Sequence, residues 1–189
     1  VNDVGGGGPQ GWGYAGSPLV DGEQVIVTPG GEKGLLAALE KKKGVLLWQS
    51  KDVPEEATYS SPIVAEVAGV RQYIAMTGDG AVGVSAKNGE QLWRYKRAPY
   101  GEIVAPTPIF HENQVFLTSW KGGAELIKLE AADKKFTATK VYFKNTLANE
   151  HGGVVLVDGY VYGSHQERGW RCVDFKTGAQ KWEATDPTF

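Results

Sequence analysis

The chain has 189 residues, 41% of them hydrophobic and 22% charged, with a net charge of −2 at neutral pH. That length allows one ordinary domain with a real core, and the balanced charge leaves no electrostatic footprint for nucleic acid or an anionic membrane. Apolar runs such as Leu35-Leu36-Ala37-Ala38-Leu39 are far too short to span a bilayer, and one cysteine, Cys172, excludes an internal disulfide framework or a thiolate metal cluster within one chain.

Residues 1–15 read as a glycine-rich lead-in, and Val1 is not followed by the charged and apolar segments of an export signal. Four short β-like runs follow: Ser17–Val20, Gln24–Thr28, Leu35–Glu40 and Val45–Gln49, with Asp21-Gly22 at the first turn. Leu35–Lys43 has helical propensity, but its counterparts later in the chain read as strands. The second set is Ser61–Glu66, Gln72–Thr77, Ala81–Ala86 and Gln91–Tyr95, punctuated by Ala68-Gly69, Asp79-Gly80 and Asn88-Gly89. Asp-Gly and Asn-Gly favour the positive φ that tight hairpins need. The third set is Thr107–Phe110, Gln114–Ser119, Ala124–Glu130 and Thr139–Phe143. The fourth is Gly153–Val157, Tyr160–Ser164, Trp170–Asp174 and Gln180–Glu183, with Asp158-Gly159 as its turn.

These sets keep a beat. Gly-x-x-x-Trp recurs as Gly44…Trp48, Gly89…Trp93 and Gly178…Trp182, with tryptophans 45 and 89 residues apart. Ser17-Pro18, Ser61-Pro62 and Thr107-Pro108 follow the same period, with prolines 44 and 46 apart. The third set lacks the Trp, and Val141 or Tyr142 fills that slot. Four strands in about 45 residues is the arithmetic of a β-propeller blade. A lone four-stranded meander leaves apolar faces that must stack on neighbours. A Trp on the outer strand wedges between blades, and the glycine four residues earlier makes the tight turn that delivers it. The expected fold is all-β, with blades at about 16–50, 60–96, 106–144 and 152–184.

The repeat resembles the pyrroloquinoline-quinone-like (PQQ-like) propeller family, whose blade motif runs Ala-x-Asp-x-x-Thr-Gly-x-x-x-Trp. Cys172-Val173-Asp174-Phe175-Lys176-Thr177-Gly178-Ala179-Gln180-Lys181-Trp182 departs from it only at Cys172. The first copy places Ala38, Glu40, Lys43, Gly44 and Trp48 in those slots, and the second Gly83, Ser85, Asn88, Gly89 and Trp93. The resemblance runs from about Gly16 to Trp182. It implies seven- or eight-bladed rings, so four blades make a partial or half propeller with two open faces. It also implies a periplasmic or extracellular setting, and either of two functions: quinoprotein dehydrogenases, or cofactor-free scaffolds such as the propeller lipoprotein of the barrel-assembly machinery.

Fold resemblance does not carry function. The dehydrogenases hold PQQ and Ca²⁺, use a catalytic Asp, and many close a disulfide between adjacent cysteines. Cys172 cannot supply that disulfide, and no acidic cluster has calcium-loop spacing. Gly5–Gly8 and Gly30-Gly31-Glu32-Lys33-Gly34 do not match a phosphate loop. His111, His151 and His165 stand 40 and 14 residues apart, without zinc-site spacing. Lys41-Lys42-Lys43 is a solvated charge run at a turn, and no nucleophile elbow occurs.

The preferred reading is therefore a non-enzymatic scaffold without cofactor; the alternative is part of a PQQ-dependent alcohol or sugar dehydrogenase. Propeller topology gathers the outer-to-inner connections and the second-to-third hairpins on one face. That face carries Tyr59, Tyr100, Glu102, Asn149, Glu150 and His151 from one loop set, and Trp120, Lys121, His165, Gln166, Glu167 and Arg168 from the other. Trp12 and Tyr14 enter from the same side. Aromatics beside polar groups suit a protein or small ligand, although blade packing and solvation explain the same residues. His151, just before an inner strand expected to line the channel, is the principal candidate, with a loop-bonding histidine as the plainer reading. The other expected partners are the remaining blades or a second copy closing the ring.

Overall fold

The computed structural model describes residues 4, 6, 12–97, 103–133, 135–165 and 169–185. Among them the chain forms 16 strands and no helix. Blade 1 comprises β1 (Leu19–Asp21), β2 (Gln24–Val27), β3 (Ala37–Glu40) and β4 (Leu46–Gln49). Blade 2 comprises β5 (Ile63–Val67), β6 (Val70–Thr77), β7 (Gly80–Ser85) and β8 (Gln91–Lys96). Blade 3 comprises β9 (Ile109–His111), β10 (Gln114–Ser119), β11 (Gly123–Ala132) and β12 (Lys135–Lys144). Blade 4 comprises β13 (Val154–Val157), β14 (Tyr160–Ser164), β15 (Trp170–Asp174) and β16 (Gln180–Ala184). Each blade is a four-stranded antiparallel meander in chain order, so the all-β partial propeller expected from the repeat is the fold.

Local turn chemistry explains the first hairpins. Ala68-Gly69, Glu112-Asn113 and Asp158-Gly159 hold positive φ at both central positions, as a two-residue turn matching strand twist requires. The strands depart from the sequence reading mainly in blades 1 and 3. Ser17-Pro18, Ser61-Pro62 and Thr107-Pro108 all precede their strands, and the third strand of blade 1 starts at Ala37. In blade 3 the last two strands run to ten residues each, well beyond 124–130 and 139–143. Phe136 and Ala138 explain the extension, because they pack against the cluster shared with blade 2.

Strand alternation splits each blade into two apolar faces. In blade 2, Tyr73, Ala75, Val82 and Val84 join Ile26, Leu36 and Ala38 of blade 1. The interleaved Ile74, Met76, Ala81, Trp93 and Tyr95 join Val115, Leu117, Ile127 and Leu129 of blade 3. Phe116, Ala124 and Leu126 of blade 3 meet Val161, Val173 and Phe175 of blade 4.

One irregularity recurs in all four sheets. Between the third and fourth strands the register shifts by a residue, skipping Leu47, Leu92, Val141 and Lys181. The bulge directly precedes Trp48, Trp93, Tyr142 and Trp182, and such a bulge bends and re-aims the strand. It identifies Tyr142 rather than Val141 as the aromatic of blade 3. The aromatic then lies over the next blade's turn glycine. A Cβ on Gly89 would collide with the Trp48 ring, and one on Gly178 would sit 2.6 Å from Cε2 of Tyr142. Both glycines also hold positive φ, +74° and +67°. Tyr142 adds a hydrogen bond from its hydroxyl to the Phe175 carbonyl, 2.8 Å. The Trp93 indole covers Gly83 of its own blade and donates to Gln72 Oε1.

The outward face of blade 4 has no such cover. Trp182 is 46% exposed, whereas Trp93 is 3% exposed, and Val155, Val157 and Trp170 are exposed beside it. At the other end Val20 is exposed on blade 1, and the space above Gly44 is open.

At the end opposite the loop face, blades 1 and 2 are also clamped by charge. Arg71 donates to both carboxylate oxygens of Asp21, at 2.9 and 2.6 Å, and the Tyr73 hydroxyl donates to the same group at 2.7 Å. The Arg71 guanidinium holds the Asp21 carboxyl below the usual carboxylate range, against the opposing effect of partial burial.

Three outcomes follow. Trp93→Ala is expected to destabilise by about 3–5 kcal/mol and Trp182→Ala by about 0.5 kcal/mol, read by urea denaturation of the four blades. Gly44→Ala meets backbone strain alone, about 1 kcal/mol, while Gly89→Ala adds the collision with Trp48 and is expected to lower the melting temperature further. A depressed carboxylate contributes stability above its unfolded pKa and loses it as pH falls through the lower folded value. Stability is therefore expected to fall more steeply below about pH 4 in the wild type than in Asp21→Asn, with parallel curves above pH 5 in thermal melts.

Candidate functional site

The loop face is built by the connections 50–62 and 145–153 and by the second-to-third hairpins, including 28–36 and 120–122. Its inner layer consists of hydrogen bonds that tie one blade to the next. Ser60 Oγ donates to the Pro106 carbonyl at 2.9 Å. Thr118 Oγ1 donates to the Leu147 carbonyl at 2.8 Å and accepts from the Asn149 amide nitrogen at 3.1 Å. The Asn149 side-chain amide donates to the Ser164 carbonyl and hydroxyl, at 2.9 and 3.0 Å. Asn149 is thus fully buried. The sequence placed it on the binding surface; the structure places it beneath, because its donors fasten the blade 3–4 connection to blade 4.

A buried charge pair fastens blade 2 to blade 3. Glu125, on β11, is 2% exposed. The Tyr95 hydroxyl donates to its Oε1 at 2.6 Å, and Arg97 Nη1 lies 3.2 Å from its Oε2. Arg97 also donates to the Gly122 carbonyl. Burial and the Glu125 carboxylate push the Tyr95 phenol well up, so it stays a donor. At the rim, Arg94 bridges Glu55 and Asp79, the latter at 2.8 Å. Sequence reasoning missed both networks. The available signal was a glutamate inside the strand run Ala124-Glu125-Leu126-Ile127, a position that burial makes costly without a cation.

Above this layer stand the aromatics. Trp12 is 79% exposed, and its ring centroid lies 6.1 Å from that of half-buried Tyr59. Tyr14 donates to the Pro29 carbonyl at 2.8 Å. With Gly16, Ser17, Pro18, Val27, Thr28, Pro29 and Val4, it lines an open, largely apolar pocket of about 250 Å³. The wall continues toward Tyr59, since the Ser17 amide donates to Ser61 Oγ at 2.8 Å and Gly16 abuts the Ser60 carbonyl. Farther round, Lys121 Nζ lies 4.0 Å from the Trp120 ring centre.

His151 is exposed, with Nδ1 3.8 Å from Glu150 Oε1. The His165 amide donates to the Gly169 carbonyl at 3.0 Å. His111 lies at the opposite end of the blades, edge-on to Phe175 at 5.5 Å. The three histidines do not form a common site; among the described residues no three His, Cys, Asp or Glu side chains gather as metal ligands. Tyr100, Glu102 and Arg168, with Gln166 and Glu167, lie outside the described residues. The structure thus brings Trp12 and Tyr59 together and pairs Trp120 with Lys121.

A repeated four-stranded blade, an aromatic delivered by a bulge and a glycine beneath it define a PQQ-like β-propeller. The chain belongs to the family whose model is described as outer membrane protein assembly factor BamB, which matches residues 10–184. Among solved structures it is similar to BamB from Moraxella catarrhalis, at 19% identity and a TM-score of 0.63, covering 88% of this chain and 47% of that one. The chain therefore spans about half the length of that relative. The computationally designed protein Ika8 matches at 12% identity and a TM-score of 0.41, covering 92% and 64% of the two chains. The WD40 propeller domain of Doa1 matches at 14% and 0.39, covering 89% and 67%. A search of curated proteins found no match.

Removing one partner of a buried ion pair leaves the other uncompensated. Glu125→Gln is expected to destabilise by about 3–5 kcal/mol, whereas Glu66→Gln, on the exposed side of β5, is expected to stay within about 0.5 kcal/mol in the same denaturant titration.

Proposed function

We propose that this chain is a non-enzymatic propeller segment that docks a partner protein through its loop face, in the periplasm or at the envelope. The observation that carries the reading is the division of labour on that face. Polar groups such as Asn149, Thr118, Ser60 and Glu125 are consumed in fastening blades. Aromatics such as Trp12 are left in solvent. Rigid, partly exposed aromatic side chains lose little conformational entropy on binding and dominate protein interfaces. Trp12, Tyr59, Trp120 and Lys121 form the contact surface, with His151 and His165 at its polar edge. Family membership supports the same reading, since the family description is that of an outer membrane assembly factor.

The open faces of blades 1 and 4 receive further blades or a second copy, because exposed apolar surface of this kind calls for a partner. Residues 1–189 expressed alone are expected to associate, or to bind a hydrophobic dye. A clean monomer by light scattering, with no dye binding, contradicts ring completion.

A photo-crosslinking amino acid at position 120, in envelope-bearing cells producing the protein, is expected to yield one discrete protein adduct. The same group at position 41, on the opposite face, is expected to yield none. Trp12→Ala with Tyr59→Ala should remove the adduct while the melting temperature stays within a few degrees. Equal adducts from both faces, or persistence in the double variant, sinks the loop-face reading.

A further inference from the structure

The outer rim of blade 3 differs from the other rims in one respect: it carries a long, regular, unpaired strand edge. β12 pairs with β11 on one side and ends its sheet on the other. Its register with β11 is unbroken from Lys135 to Lys140, before the bulge at Val141. In β4, β8 and β16 the bulge falls at the second residue of the strand, which leaves short edges. Natural sheets protect their edges by shortness, proline, bulges or charge. Here the first three devices are missing over six residues. Phe136-Thr137-Ala138-Thr139 contains no charge at all. The solvent side offers Thr137 and Thr139, while Phe136 and Ala138 press onto the blade 2 cluster. Further blades would leave this edge open, because the fourth strand lies at the blade's outer rim.

The electrostatics select the occupant. Lys135, Lys140 and Lys144 are exposed along the strand, and none forms an ion pair among the described residues. Val141 and Phe143 are exposed between them. We infer that the β12 edge is a docking site for an extended acidic segment of a partner protein, which adds as a fifth, outermost strand to blade 3. Main-chain hydrogen bonds to alternate residues of 135–140 supply affinity, as in other strand-addition complexes. The three lysines select carboxylates and make binding salt-sensitive. This surface is separate from the loop face, so either proposal stands if the other fails.

The probe is a capped hexapeptide of alternating glutamate and valine, carrying a fluorophore and titrated against the folded protein. Hydrogen exchange then locates it on residues 135–140. Binding is expected to slow exchange of the outward amides there. N-methylation of alternate peptide residues should weaken it about tenfold or more, since the methyl groups remove main-chain bonds and leave the charge unchanged. The triple variant Lys135→Glu, Lys140→Glu, Lys144→Glu should lose this peptide and bind the lysine–valine counterpart instead. The lysines are exposed, and a matching melting curve verifies its fold. Three results each overturn the proposal: no binding at millimolar peptide, in which case the lysines only guard the edge; equal binding of the N-methylated peptide; or protection that maps elsewhere.

Discussion

The contact between an outer-strand aromatic and the turn glycine of the next blade governs the rest of this structure. It needs a bulge to aim the ring and a glycine to let it approach. Trp48 over Gly89 and Tyr142 over Gly178 satisfy both conditions. The same glycines hold positive φ, so one residue type meets a backbone demand and a packing demand together. Because the contact spans two blades, neither sheet is complete alone. Stability is therefore a property of neighbouring pairs, as in other repeat architectures. The exposed Trp182 is the same device without its receiver.

Stacking by apolar faces leaves an electrostatic problem at the ends of the blades, where strands stop and backbone groups lose their ladders. The chain meets it with polar ties between consecutive blades at both ends. Asp21, Arg71 and Tyr73 join blades 1 and 2 at one end. Tyr95, Arg97 and Glu125 join blades 2 and 3 at the other, and Thr118, Asn149 and Ser164 join blades 3 and 4. The ties at the loop end fasten the connections that carry the loop face, and a surface fastened in this way lowers the ordering cost of a partner that lands on it.

The fold was legible because its signal is periodic. Three Gly-x-x-x-Trp copies and the Ser-Pro beat pointed to the four-bladed repeat, and turn dipeptides marked hairpins in blades 1, 2 and 4, whereas blade 3 turns at Glu112-Asn113, which does not read as a turn signal. Strand ends were less legible. Ser17-Pro18 resembles the start of a strand but lies before it, because a strand begins where pairing begins and pairing is not encoded locally. The polar ties were invisible for a related reason. Glu125 and Arg97 are far apart in the chain, and neither side chain declares its partner. Asn149 read as a surface group because loops are usually solvated, yet this loop is fastened by its own asparagine. Conversely, the Trp12–Tyr59 pair joins residues 47 positions apart that only the blade geometry brings together.

Blade 3 shows what the repeat tolerates and what it protects. It lacks both the tryptophan and the turn glycine, yet the bulge survives before Tyr142. Aromatic aim is therefore the element the architecture requires, while the ring type can vary. The missing glycine has a different substitute. Instead of a glycine-bearing connection that receives Trp93, the chain extends β11 and β12 and lays Phe136 and Ala138 against the same cluster. Trp93 consequently ends up far better covered than Trp182. That solution carries a structural consequence absent from the other blades, since a longer hairpin necessarily exposes a longer edge. A position where a repeat protein abandons its consensus, preserves its packing and gains unpaired backbone is where new binding surface can arise without loss of the core.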